Sequence, residues 1–130
     1  MNEKWQQHLH QGLAKVSEEA YDEAVIELGQ ALVEAPDEQV AQCYATRGYV
    51  YLCQGEFSKA ISDCNLALEH DPSDGEAYAW RGSAHAGLSQ WSQAIEDYMD
   101  AINLSPENEE EDRSVLGAHL EDAIADFTQT

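Results

Sequence analysis

Residues 41–74, AQCYATRGYVYLCQGEFSKAISDCNLALEHDPSD, are followed at once by a second copy of the same plan at 75–108, GEAYAWRGSAHAGLSQWSQAIEDYMDAINLSPEN. Tyr44 returns as Tyr78, Arg47-Gly48 as Arg81-Gly82, Phe57 as Trp91 and Ala60-Ile61 as Ala94-Ile95. Asp63 returns as Asp97, Ala67 as Ala101 and Pro72 as Pro106, every offset being 34 residues. A period of that length marks a helix–turn–helix unit that cannot bury its apolar face alone and must stack on a neighbour. A weaker copy comes before the pair: Gly12, Tyr21, Ala24, Ala31 and Pro36 precede Gly48, Phe57, Ala60, Ala67 and Pro72 by 36 residues. That offset is constant through Pro36, so the two additional residues fall around Asp37 to Val40. A longer turn, or an added half-turn on the following helix, is expected there.

The order of large aromatic, small glycine, tyrosine, alanine, second large residue, second alanine and closing proline resembles the tetratricopeptide repeat (TPR). The resemblance implies an all-α fold, an α-solenoid of about seven helices in which antiparallel pairs wind into a right-handed superhelix. One domain over 1–130 would hold repeats at about 5–38, 41–74 and 75–108 and a capping helix at about 107–127. Helices are predicted at 3–17, 20–34, 38–54, 57–70, 74–88, 91–104 and 107–127. Gly55 reads as a helix stop, Ser73-x-x-Glu76 as a capping box, and Ser105 before Pro106 as a cap followed by a first-turn proline. In the last segment Leu116, Leu120, Ala123, Ile124 and Phe127 share one helical face. The acidic run Glu109, Glu110, Glu111 and Asp112 suits the N-terminus of that helix. Such a run is more often a solvated face than a binding site.

Six Lys+Arg stand against 26 Asp+Glu, a formal charge of −20. A surface of that sign repels phosphate backbones, which argues against nucleic-acid partners. It would steer basic partners inward, or serve solubility alone. No run approaches the ~20 apolar residues of a membrane span. The start, MNEKWQQHLHQ, lacks a signal-peptide core, so a cytoplasmic location is expected. Three cysteines do not form a disulfide framework. Cys43 and Cys53 lie about 15 Å apart along one helix, and Cys64 takes the place of a large core residue. All three are expected to be reduced.

Arg47 and Arg81 are each followed sixteen residues later by an aspartate, Asp63 and Asp97. An ion pair inside each repeat is expected, with the arginine stem along apolar surface. The other reading is a pair of arginines that grip an acidic ligand. In the first repeat Gln11 and Glu27 occupy these positions, so the pair is missing there.

The resemblance further implies that the first helix of each repeat lines a concave groove holding a partner's peptide or helix. Its groove positions are Gln6, Leu9, His10 and Leu13, then Gln42, Thr46, Tyr49 and Cys53, then Glu76, Trp80 and Ser83, with Arg113 extending the row. Tyr49 and Trp80 are candidate aromatic anchors of the kind interfaces favour, although Trp80 could equally fold down to fill a gap. Members of the family that hold a chaperone's C-terminal carboxylate do so with Lys and Asn, then Asn, then Lys and Arg. Here the same positions are Leu9 and Leu13, Thr46, then Glu76 and Trp80. None matches, which argues against a chaperone-tail clamp.

No phosphate loop, nucleophile elbow, HExxH or paired CxxC occurs in the chain. His8 and His10 lie on different sides of one helix, and His85 and His119 fall near the repeat's tyrosine position, where core or groove-edge packing is expected. No catalytic residue, metal or cofactor is expected. The reading is a non-enzymatic interaction module or adaptor, with a small acidic secretion-type chaperone and a self-associating scaffold as alternatives. Exposed apolar residues on a terminal helix or the convex face would favour self-association.

Overall fold

The computed structural model describes residues 3–105 and 110–129, residue 112 by its backbone alone. Within them the chain forms seven α-helices: α1 Lys4–Ser17, α2 Tyr21–Glu34, α3 Val40–Gln54, α4 Phe57–His70, α5 Gly75–Gly87, α6 Trp91–Leu104 and α7 Glu110–Thr128. There is no strand among the described residues. Consecutive helices pair as α1/α2, α3/α4 and α5/α6, and each pair stacks on the next. The fold is an all-α TPR solenoid. Pro106 and residues 107–109, which carry the expected capping proline and the start of the acidic run, lie outside the described residues.

Close approach of the two helices in a repeat depends on a small residue at their crossing. A Cβ on Gly82 would lie 3.1 Å from the Tyr98 ring, and one on Gly48 would lie 3.1 Å from Cys64 Sγ and 3.3 Å from the Ala60 carbonyl. Buried alanines continue each seam: Ala24 and Ala31, Ala60 and Ala67, Ala94 and Ala101. Cys64 is therefore the buried small hydrophobe expected of it. Between the first two repeats the core consists of Trp5, Leu9, Leu28, Cys43 and Val50 with the alanines of α2. Ala94, Tyr98 and Ala123 form the last core, with Trp91, Ile95, Leu116 and Leu120 against it. Thus α7 turns Leu116, Leu120 and Ala123 inward. Ile124 and Phe127 are 43% and 46% exposed, so the predicted apolar face wraps partly into solvent.

The two extra residues fall at a three-residue 3-10 turn, Asp37–Gln39, which leads directly into α3. Here α1 scarcely meets α3, whereas α3 and α5 pack along their length. Gly55 ends α3 in the left-handed region, φ 78°, as a C-terminal stop should. The expected Ser73/Glu76 capping box does not form. Asp74 caps α5 instead, its Oδ1 accepting from the Ala77 N–H at 3.2 Å. Ser73 turns its N–H and hydroxyl to Asp71, which leaves the cap to Asp74.

Candidate functional site

Two arginine–aspartate pairs brace the second and third repeats. Arg47 donates from Nε to Asp63 Oδ2 at 2.7 Å and from Nη2 to Asp63 Oδ1 at 2.9 Å. Arg81 treats Asp97 in the same way, at 2.8 and 2.7 Å. Both aspartates are 4% exposed. The hydrogen bonds to these carboxylates hold both guanidinium groups above their ordinary range. Tyr44 and Tyr51 flank Arg47, and Tyr78 lies beneath Arg81. These arginines are structural and do not reach for a ligand. In the first repeat the role passes to His8, whose Nδ1 lies 2.8 Å from Glu27 Oε2. The sequence reading missed this pair because His8 sits one helical turn before Gln11, the position aligned with the arginines.

A cleft of about 690 Å³ opens between α5 and α7. It exists because α7 packs along α6 and meets α5 only lightly. Its walls are Asp74, Glu76, Ala79, Trp80 and Ser83 from α5, Leu104 and Ser105 from the end of α6, and Val115, Leu116 and His119 from α7. Trp80 closes one side. Its ring centroid is 5.0 Å from that of Tyr49 on α3, the planes inclined at 37°. Trp80 also packs against the buried cluster of Ala45, Ala67 and Ala77. It therefore fills the gap between α3 and α5 and still presents surface to the cleft. Ser83 and Tyr98 hydroxyls share a hydrogen bond of 3.0 Å, while His119 stacks on the Tyr98 ring. Burial pushes the Tyr98 phenol upward. Burial, with a smaller push from Asp71, also raises the Asp74 carboxyl above the ordinary carboxylate value.

Of the groove positions implied by the sequence, the structure gathers Glu76, Trp80 and Ser83 in this cleft. Leu9 is not available to a ligand: it is 6% exposed and belongs to the core under α1. Thr46 is also buried, its hydroxyl donating to the Gln42 carbonyl at 2.8 Å. Tyr49 turns to Trp80, with its phenol raised chiefly by a hydrogen bond with Cys53. His10, Leu13, Gln42 and Cys53 are exposed outside the cleft. Arg113 lies near its far end, Nη1 directed at the Ser105 carbonyl at 3.5 Å. The residues that the sequence reading missed, Asp74, Leu104, Val115 and Leu116, come from the α5 cap and from the α6–α7 corner, where His119, expected at a core or groove-edge packing position, joins them. Repeat matching could not place that corner, because α7 does not continue the period. Among the described residues no cluster of three or more His, Cys, Asp or Glu could hold a metal ion, and no helix is long and apolar enough to cross a membrane.

Comparison with known proteins agrees with this geometry. Tetratricopeptide repeat family models match residues 41–74 and 75–108, together more than half of the chain. The small glutamine-rich tetratricopeptide repeat-containing protein of Dictyostelium discoideum is 37% identical over 100 residues, covering 77% of this chain and 29% of that protein. The DnaJ homolog subfamily C member 7 homolog of the same organism is 32% identical over 80 residues, covering 62% of this chain and 15% of that protein. The chain thus spans less than a third of the length of these relatives. Among solved structures, the first TPR of Spaghetti (RPAP3) bound to the HSP90 peptide SRMEEVD is similar, with a TM-score of 0.83 and 26% identity over 96% of this chain and 94% of that one. That peptide ends in acidic residues, so this neighbour lends no support to the expectation of a basic partner. By its repeats, its packing and its relatives, this chain belongs to the tetratricopeptide repeat family.

Proposed function

We propose that this chain is a non-enzymatic protein–protein interaction module, an adaptor that holds a peptide or helix of a partner protein in the cleft between α5 and α7. The observation that carries this reading is Trp80. Its ring lies against that of Tyr49, and it lines a cleft together with the apolar residues Leu104, Val115 and Leu116. Large aromatics fixed at the centre of a concave surface are the residues on which interfaces concentrate their affinity. A mixed apolar and polar cleft suits an amphipathic helix or an extended peptide. Action in the cytoplasm belongs to the same proposal.

The likeness to a TPR bound to an HSP90 peptide extends to the fold and stops short of the clamp. A terminal carboxylate needs charge-assisted donors, and the five clamp positions here hold Leu9, Leu13, Thr46, Glu76 and Trp80. Arg47 and Arg81 are bound to their own aspartates and cannot substitute.

The test is affinity capture with wild type and with a Tyr49→Ala, Trp80→Ala double variant, after circular dichroism has shown the variant to be folded. Partners that vanish from the folded variant place recognition at this cleft. Partners retained in full would overturn the proposal.

A further inference from the structure

The cleft is lined by both apolar and acidic residues. Trp80, Leu104, Val115 and Leu116 are the apolar part, and Leu104 and Val115 are 41% and 54% exposed. Asp74, the cap of α5, and Glu76 in its first turn are the acidic part, with Asp71 just before them in the chain. No lysine or arginine is among the residues that line it. Of the cations outside that lining, Arg113 lies near the far end of the cleft, its Nη1 3.5 Å from the Ser105 carbonyl. Arg47 and Arg81 hold aspartates, Lys15 bridges Glu18 and Glu23, and Lys59 lies over Tyr51.

Resting on the function proposed above, we infer that the cleft selects a partner peptide in which a lysine or arginine adjoins a bulky apolar side chain. The apolar side chain would lie on Trp80, Leu104 and Val115, and the cationic head would reach Asp74 and Glu76. Three physical effects act in the same direction. The burial that raises the Asp74 carboxyl is a cost that a neighbouring cation offsets. The Trp80 ring attracts a cation that passes over its face. A formal charge of −20 accelerates the arrival of a basic segment and repels an acidic one. An EEVD-type tail meets the reverse of each effect.

Fluorescence anisotropy at about 0.15 M salt, where only nearby charges still interact strongly, tests this with three labelled probes. They are a short peptide of alternating leucine and lysine, the same peptide with glutamate for every lysine, and SRMEEVD. The leucine–lysine probe is expected to bind in preference to both others. Trp80→Ala and Glu76→Lys should each weaken it by about tenfold or more, the effect of losing one interface anchor. Glu96→Lys, the same charge change at an exposed site on α6, should weaken it less than about twofold. Equal weakening by Glu96→Lys would reduce the preference to bulk attraction and overturn the inference. Trp80-dependent binding of either acidic probe would overturn it too, while leaving the proposed function intact. If no probe bound in a Trp80-dependent way, both would fall.

Discussion

Arg81 and Asn65 belong to different repeats, and they share a hydrogen bond of 2.9 Å from Nη1 to Oδ1. The other two donors that Arg81 uses hold Asp97 of its own repeat. One guanidinium therefore closes a helix pair and also fixes how that pair sits on the one before it. Asp97→Ala leaves this partly buried cation without its main partner and should cost about 3 kcal/mol. Asn65→Ala, at an exposed site, should cost less than about 1 kcal/mol. Urea unfolding of both variants, of Arg81→Ala and of the Arg81→Ala, Asn65→Ala double variant measures the coupling across the repeats. Additive losses would contradict the bridge.

Phe57, at the start of α4, lies flat against Gly87 at the end of α5, where an added Cβ would come within 2.5 Å of the ring. Gly87→Ala overpacks this joint and should cost about 1–3 kcal/mol. Adding Phe57→Leu should restore part of the loss, read as a recovered midpoint in thermal unfolding. A Gly87→Ala protein as stable as wild type would mean that the joint yields freely.

Cys43 and Cys64 are fully buried, and burial pushes their thiols up to about 11 and about 12. Cys53 is exposed. A thiol-alkylating reagent near neutral pH should label Cys53 alone in the folded protein and all three in denaturant, as peptide mass spectrometry would show. The folded-state values lie above the ordinary thiol value of 9.0. The stability these thiols contribute is therefore complete below about 9 and drains away as the pH rises through about 11 and about 12. Replacing both with alanine should flatten that alkaline limb of the stability curve.

Asp74 caps α5 at some electrostatic cost, because burial and Asp71 raise its carboxyl above 3.8. A raised folded-state value means that the favourable contribution is present below 3.8 and is lost as the pH climbs past the folded-state value. Asp74→Asn keeps the acceptor for Ala77 and removes the charge. It should raise the melting temperature at pH 7, and the gain should disappear in acid. Asp74→Ala loses the cap and should cost about 1 kcal/mol.

The repeats were legible because their constraints are local and recur. The small residues Gly48 and Gly82 and the aspartates Asp63 and Asp97 each announce a contact within one unit, and the aromatics Phe57 and Trp91 mark the start of each second helix. The ion pairs followed from spacing alone. The site was only half legible. Glu76, Trp80 and Ser83 could be named from repeat register, but Leu104, Val115 and His119 reach the cleft through the angle at which α7 leaves α6, and no periodicity encodes that angle. Leu9 misled for the opposite reason. Register puts it on the groove side, yet Leu9 packs into the core with Trp5 and Leu28.

The 3-10 turn at Asp37–Gln39 puts the array out of phase with itself. Two units keep a common period of 34 residues, and the first stands 36 residues before the second. The turn thereby separates two properties of the molecule. Changes in its length reposition the N-terminal unit, while the cleft at the opposite end keeps its shape.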